Sequence, residues 1–370
     1  MSELAPGPIA QLTLDDYLNF RNGKTSPPRG EKGSHQVFGS NGSLGWSSLG
    51  NVHGPVVVIG RVGSFCGSLH YSPANVWVTD NAIACTPRNS AETRSWYYAL
   101  QTLDLNGRSS GSGQPLLNQT VLGTIPFEAP SLSARMAIAV VLGALDDKIA
   151  ANARLVAVAE ALAVTFAGSF KPSVAIEHLV RHSKQPVVPL HMHDRNVAHF
   201  SLPAYDVDKL PEITAPTEIL SSKFAISQPA VLISKLNPRF PRVWNVAELP
   251  SAIALASTEF LVLDPLWCST TVLWAILSQE EFAISLDGKA SGTSGSHQRV
   301  RPADLLATLV GDPREMPEAL KSRITSIGLI ALAMRAENRL LAATRDALLP
   351  QLMSGKLRVK DAEKSLAGVL

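Results

Sequence analysis

Apolar positions recur in two long stretches with the spacing of a coiled-coil seam. Leu142, Ile149, Val156 and Ala163 stand seven residues apart, and Leu145, Asn152, Ala159 and Phe166 repeat that interval three positions later. The device returns near the other end of the chain. There Ile324, Ala331, Asn338, Arg345 and Leu352 share one heptad position, and Ile327, Met334, Leu341 and Leu348 share the other. The spacing predicts one helix over 131–166 and a second over 313–355. At about 1.5 Å per residue each is a rod of roughly 55 Å. An asparagine on a seam costs stability and fixes register, so Asn152 and Asn338 read as matching registry marks on two helices that pack together. The spacer residues are then Leu142, Ile149, Asn152 and Val156 on the first helix and Ile327, Met334, Asn338 and Leu341 on the second. Two ordinary amphipathic core helices are the plainer alternative, and the lengths speak against it.

Outside the two rods the apolar runs are short and β-like. Residues 56–59 and 230–234 are continuous apolar runs, and 76–85 is a strand interrupted by Thr79-Asp80-Asn81. Turn clusters rich in glycine, asparagine and proline fill 21–50. These patterns repeat. Val58-Ile59-Gly60-Arg61 resembles Leu232-Ile233-Ser234-Lys235, Thr79-Asp80-Asn81-Ala82 resembles Ser257-Thr258-Glu259-Phe260, and Arg154-Leu155 resembles Arg339-Leu340. The offset climbs from 174 through 178 to 185, as insertions in a second copy require. The chain thus reads as an α+β protein made of two tandem copies of a mixed module followed by a long helix. The expected divisions are module one over 1–130, a central helix over 131–168, module two over 169–312, a second helix over 313–355 and a tail over 356–370.

Composition narrows the class. The chain has 370 residues, 45% hydrophobic and 17% charged, which suits two globular modules with their own cores. No apolar run is read as a membrane span, and residues 1–10 lack the basic and apolar regions of a signal peptide, so the expected location is the cytoplasm. Cys66, Cys85 and Cys268 are odd in number and unlike in context, which fits reduced thiols. The net charge of +2 leaves the question of nucleic acid to the placement of the 33 basic residues.

Those residues gather in loops. In module one, Asn22-Gly23-Lys24, Gly39-Ser40-Asn41-Gly42 and Gly60-Arg61-Val62-Gly63-Ser64 are turns at strand ends, and 106–114 is a Gly/Ser loop carrying Arg108 and Gln114. In module two, Lys235-Leu236-Asn237-Pro238-Arg239 follows a strand, and the Gly/Ser loop over 287–301 carries Ser294, His297, Gln298, Arg299 and Arg301, with Gln298 opposite Gln114. Gln and Arg read base edges through paired hydrogen bonds, while Ser and backbone amides satisfy phosphates. Two such sets point to a two-part reader of DNA. Plain connecting loops and solvated charges are the competing reading of each set.

These motifs resemble the specificity (S) subunit of type I restriction-modification systems. The likeness runs through Val37-Phe38-Gly39-Ser40-Asn41-Gly42, Ile59-Gly60-Arg61-Val62-Gly63-Ser64, His199-Phe200-Ser201-Leu202-Pro203 and Gly292-Thr293-Ser294-Gly295-Ser296-His297-Gln298. It is most specific in Ala336-Glu337-Asn338-Arg339-Leu340-Leu341 with Leu348-Leu349-Pro350-Gln351-Leu352-Met353-Ser354-Gly355. The resemblance implies two target-recognition domains, each reading half of a split sequence in double-stranded DNA, with the two helices as an antiparallel coiled-coil spacer. It implies two modification subunits that methylate adenine with S-adenosylmethionine, and restriction subunits that use ATP and Mg²⁺. The chain itself then carries no catalysis, no metal and no cofactor. Module one lacks the His-Phe-Ser-Leu-Pro lead of module two, so the half-sites are expected to be unrelated.

Chemistry in this chain has little else to stand on. Asn237-Pro238-Arg239-Phe240 lacks the second proline of the Asn-Pro-Pro-aromatic motif of amino-methyltransferases, and no phosphate-binding Gly-x-x-x-x-Gly-Lys-Ser/Thr occurs. Asp287-Gly288-Lys289 reads as a turn. A metal enzyme built on His191, His193, Asp194 and His199 is the rival from another class, and a coiled-coil scaffold that binds no DNA is the second.

Overall fold

The computed structural model describes residues 12–109, 115–192, 196–290 and 298–366. Two compact units divide the chain. One holds the residues up to Lys148 together with those from Leu341 onward, and the other is Ile149–Leu340.

In the first unit, strands β1 (Leu18–Asn22), β2 (His35–Gly39), β3 (Gly42–Ser47), β4 (Val56–Gly60), β5 (Leu69–Ser72), β6 (Val76–Val78) and β7 (Ala82–Pro87) precede helices α1 (Thr93–Gln101) and α2 (Gln119–Gly123). They form a sheet in the order β1-β7-β4-β5 and a smaller one in the order β3-β2-β6. β4 is apolar without alternation because both of its faces are covered. Val57 and Ile59 pack with Ile83, Trp96 and Leu100 on the α1 side, while Val56 and Val58 pack with Phe38, Val76 and Val78 of the smaller sheet.

Helix α3 (Leu132–Ala167) continues into the second unit, which adds β8 (Pro172–Ala175), β9 (Val180–Ser183), β10 (Pro186–Val187), β11 (Val197–Phe200), α4 (Leu202–Val207), β12 (Glu212–Thr214), β13 (Lys223–Ile226), β14 (Ala230–Ser234), β15 (Val243–Val246), β16 (Ile253–Ser257) and β17 (Phe260–Pro265). Helices α5 (Thr270–Leu277), α6 (Glu280–Asp287) and α7 (Pro302–Leu306), strand β18 (Leu309–Gly311), helix α8 (Glu318–Met353) and helix α9 (Val359–Leu366) complete the chain. Beside a five-stranded sheet in the order β10-β13-β16-β11-β12, this unit has a four-stranded sheet β9-β17-β14-β15, which matches the first unit's β1-β7-β4-β5 strand for strand. β14 is again buried on both faces, with Val231 and Ile233 under α5 and Leu232 against Phe200, Trp244 and Ala256. The tandem repeat is therefore a repeat of topology.

The leads that look unrelated in sequence hold one place in it. β2 pairs in parallel with β6, setting Phe38 beside Val78, and β11 pairs in parallel with β16, setting Phe200 beside Ala256. The paths part only afterwards. Gly39-Ser40-Asn41-Gly42 turns back into β3, whereas Ser201 caps α4 by accepting from the Ala204 amide at 3.1 Å.

The two long helices are each 36 residues and pair antiparallel. Within the second unit Asn338 Nδ2 donates to the Ile149 carbonyl at 3.2 Å, Asn152 Nδ2 to Glu337 at 2.7 Å, and Arg335 to Glu160 at 2.6 Å, so numbers fall on one helix as they rise on the other. Each asparagine bonds the opposite helix, and neither bonds its counterpart. In the first unit Arg345, another seam residue, pairs with Asp146 at 2.6 Å. Leu142 and Leu341 are fully buried, Val156 nearly so, and Ile149, Ile327 and Met334 are half-buried.

The expectation that no segment matches a membrane span needs correction: by length and composition α3 is apolar enough to cross one. Its outward positions are largely alanine, leucine and valine, which raises the hydropathy of the helix without burying it.

Replacing Asn152 by alanine removes a bond to a carboxylate across the seam and is expected to cost about 2 kcal/mol in denaturant unfolding. Leu155→Ala, on the exposed side of the same helix, should stay within about 0.5 kcal/mol.

Candidate nucleic-acid interface

The chain leaves the central strand of each module in the same way. After β4, the Arg61 amide donates to the Asn81 carbonyl, the Leu117 amide to the Arg61 carbonyl, and the Gly63 amide to the Pro115 carbonyl. After β14, the Lys235 amide donates to Glu259, the Val300 amide to Lys235, and the Asn237 amide to Gln298. Gly63 (φ 73°) and Asn237 (φ 54°) both lie in the left-handed region, which glycine and asparagine tolerate best. Arg61 and Lys235 are thus true equivalents. Gln298, however, stands opposite Pro115, not Gln114. The two Gly/Ser loops differ in length, and composition alone could not set their register. Gln114, Ser294 and His297 lie outside the described residues.

In module one the β2–β3 turn is tied onto this strand end. The Ser40 hydroxyl donates to the Asn81 carbonyl at 2.5 Å and accepts from the Val62 amide at 3.3 Å, and the Ser68 hydroxyl donates to the Ser40 carbonyl. Ser40 is therefore a tie between loops, with Asn41 exposed at the tip. Beneath them lies His70, whose Nε2 is 3.3 Å from the Ser68 hydroxyl and whose ring would meet a Cβ on Gly42 (φ 85°) at 2.9 Å. Burial holds its proton affinity below the ordinary histidine value, partly offset by the Ser40 backbone. Arg61 Nη1 donates to the Asp80 carbonyl at 3.2 Å, and its Nε is buried without a partner among the described residues. Lys24 is exposed, with its amide on the Val78 carbonyl, and Ser64 is exposed in the turn after Gly63. Arg108 is exposed one turn away, in a segment that Asn106 ties to the Cys66 carbonyl at 2.8 Å.

In module two the corresponding end brings together Lys235, Asn237, Gln298 and Arg299. Arg299 pairs with Glu259 at 2.9 Å, and Leu236 bridges to Arg299 through the backbone. Two basic side chains that the sequence did not single out join them, His182 on β9 and Lys184 just beyond it. No local motif marks them, since only strand pairing brings β9 to this edge. Arg239 is exposed over the Phe240 ring, 5.5 Å from its centroid. Arg301 sits at the N-terminus of α7 and pairs with Asp304 in that first turn, which gives it a local structural role.

The histidines of the metal reading do not assemble among the described residues. His191 ends an exposed turn, and His193 and Asp194 lie outside the description. His199 is on β11 near Lys223, whose charge, after burial, lowers its proton affinity. An ammonium beside an imidazole opposes a bound cation. No group of three or more metal-binding side chains occurs among the described residues.

Residues 13–161 match the family described as type I restriction modification DNA specificity domain. The match spans the first module and most of the first long helix, so that part of the chain is similar to a type I restriction-modification specificity domain. A curated relative, the type I restriction enzyme EcoprrI specificity subunit of Escherichia coli, is 27% identical over 140 residues, which is 38% of this chain and only about a third (34%) of that protein. The fold is similar to the crystal structure of the type I restriction-modification S subunit from M. genitalium, with a TM-score of 0.57 at 14% identity over 93% of this chain and 96% of that one. In this fold the strand-end clusters recur in both modules.

Ser40→Ala should therefore cost about 1 kcal/mol and speed hydrogen exchange at the Val62 amide. Asn41→Ala should leave both unchanged, because its side chain is exposed.

Proposed function

We propose that this chain is the specificity subunit of a type I restriction-modification complex, reading a two-part target in double-stranded DNA with one half-site per module. Arg61 and Lys235, held alike at equivalent strand ends, carry this reading. Each presents a cation beside loops whose amides and side chains suit phosphate and base edges. Fold similarity alone does not argue for DNA, but the same cationic device built twice on unlike surroundings does.

The chain docks two modification subunits, which hold S-adenosylmethionine, and through them restriction subunits that use ATP and Mg²⁺. The chain itself is not an enzyme. Docking is supported by the outer faces of the paired helices. In the second unit α3 exposes Leu155, Val158 and Leu162, and α8 exposes Leu329, Ile330 and Leu340, with alanines between them. Apolar surface of this extent calls for a protein partner.

Methylation mapping in cells carrying the chain and its modification subunits tests the reading, since it reports a split target directly. Gln298→Ala with Arg299→Ala is expected to relax one half-site only, by about 1–3 kcal/mol per lost base contact. Equal relaxation at both halves would contradict independent modules, and a target indifferent to the chain would favour a scaffold. Val158→Asp should weaken association with the modification subunits, measured by co-purification, while leaving the fold of the free chain intact.

A further inference from the structure

The end of the β9·β17·β14 sheet gathers more cations than its carboxylate offsets. Pairing sets His182 beside Leu263 and Leu263 beside Val231, and one step along it sets Leu261 beside Ile233. Because side chains alternate along strands, His182, Lys184, Glu259 and Lys235 fall on the face that carries these four apolar residues. Helix α5 covers the apolar part, since Val272, Leu273 and Ile276 share its core. Past Leu261 and Ile233 the face turns charged. Arg299 reaches it from the segment paired with Leu236 and bonds Glu259. On the opposite face Arg181 stands beside Asp264 in the strand pairing, so those two charges answer each other.

The charges on the near face act against one another. Burial first, then Lys184 and Lys235, drive the His182 imidazole toward its neutral form. Burial also disfavours the Lys235 ammonium, with Arg299 and Lys184 adding to the effect and Glu259 opposing it. An anion entering among these groups relieves the cations together, against the repulsion of the single carboxylate, Glu259.

We propose that His182, Lys184, Lys235 and Arg299 form a phosphodiester-binding site of the second module, and that His182 takes up a proton from solvent when a nucleic-acid phosphate enters it. This rests on the reading of module two as a reader of duplex DNA. No covalent bond changes: phosphate oxygens accept from the lysines and the arginine, and the protonated imidazole becomes a further donor. In the free chain burial and the neighbouring cations lower the proton affinity of the imidazole below its ordinary value, and the phosphate raises it. Binding therefore strengthens as pH falls from above the bound-state value and levels off below the free-state value.

The test measures the affinity of the full chain, with its modification subunits, for a duplex of arbitrary sequence at fixed salt between about pH 5.5 and 8. Wild type is expected to gain up to about tenfold per pH unit from this one proton. His182→Gln should lose that increment, and Lys184→Ala should lower the salt slope by about one. A His182→Gln profile that superimposes on wild type overturns the proposal. Should that variant not fold, histidine NMR titration of the wild-type chain decides, because a His182 resonance whose midpoint does not rise on adding duplex also overturns it. If sequence-specific methylation persists while either of these negative results is obtained, the proton-linked site alone has failed. If wild type binds no duplex at any pH, the DNA-reading function fails with it.

Discussion

The polar contacts along the paired helices are the constraint on which the rest depends. A purely apolar seam between two long helices of alanine, leucine and valine would permit sliding by a heptad, since each position would meet a similar one. Asn152 on Glu337, Arg335 on Glu160 and Arg345 on Asp146 each lose a partner in any other register. Two of these carboxylates, Asp146 and Glu160, also receive the modules, and neighbouring ion pairs add to them. In the first unit Tyr98 donates to Asp146 at 2.5 Å, and Arg94 grips Asp147 with two nitrogens at 2.8 and 2.9 Å. In the second, Lys209 reaches Glu160 at 3.1 Å, and Arg339 on the helix pairs with Asp208 at 2.8 Å. Within each unit, then, helix register and module placement are set by shared groups. Breaking one such contact leaves a half-buried charge, which makes the arrangement specific even where its net stabilisation is small.

The modules carry a second economy. A central strand buried on both faces offers no accessible polar group along its length, so the accessible polar groups lie at its end. There the left-handed residue, Gly63 or Asn237, turns the chain while the preceding cation stays pinned by backbone bonds on both sides. The loops around that point then vary freely: a hairpin after Phe38 in one copy, a capped helix after Phe200 in the other. A rigid cation amid variable loops lets recognition change without rebuilding the fold.

Much of this was legible in the sequence because it was periodic. The heptads gave both helices to within a few residues, and the matched Val58-Ile59-Gly60-Arg61 and Leu232-Ile233-Ser234-Lys235 gave the equivalence of Arg61 and Lys235. What required strand pairing was hidden. His182 and Lys184 reach their cluster across β17, and the place shared by Phe38 and Phe200 rests on the pairing of β2 with β6 and of β11 with β16. Ser40 looked like a contact residue because serine in a turn suits phosphate, yet its hydroxyl is consumed in holding two loops together. The one-residue error at Gln114 arose where glycine and serine carry no register.

If the chain reads a two-part target as proposed, helix length sets the gap between the half-sites. Lengthening both helices by one heptad, placed to keep the seam, adds roughly 10 Å, or about three base pairs. Mapping methylated sites in cells that carry this variant with its modification subunits measures the gap directly. Unchanged half-sites separated by about three more base pairs are expected, and a gap identical to that of the parent chain would contradict a spacing role for the helices.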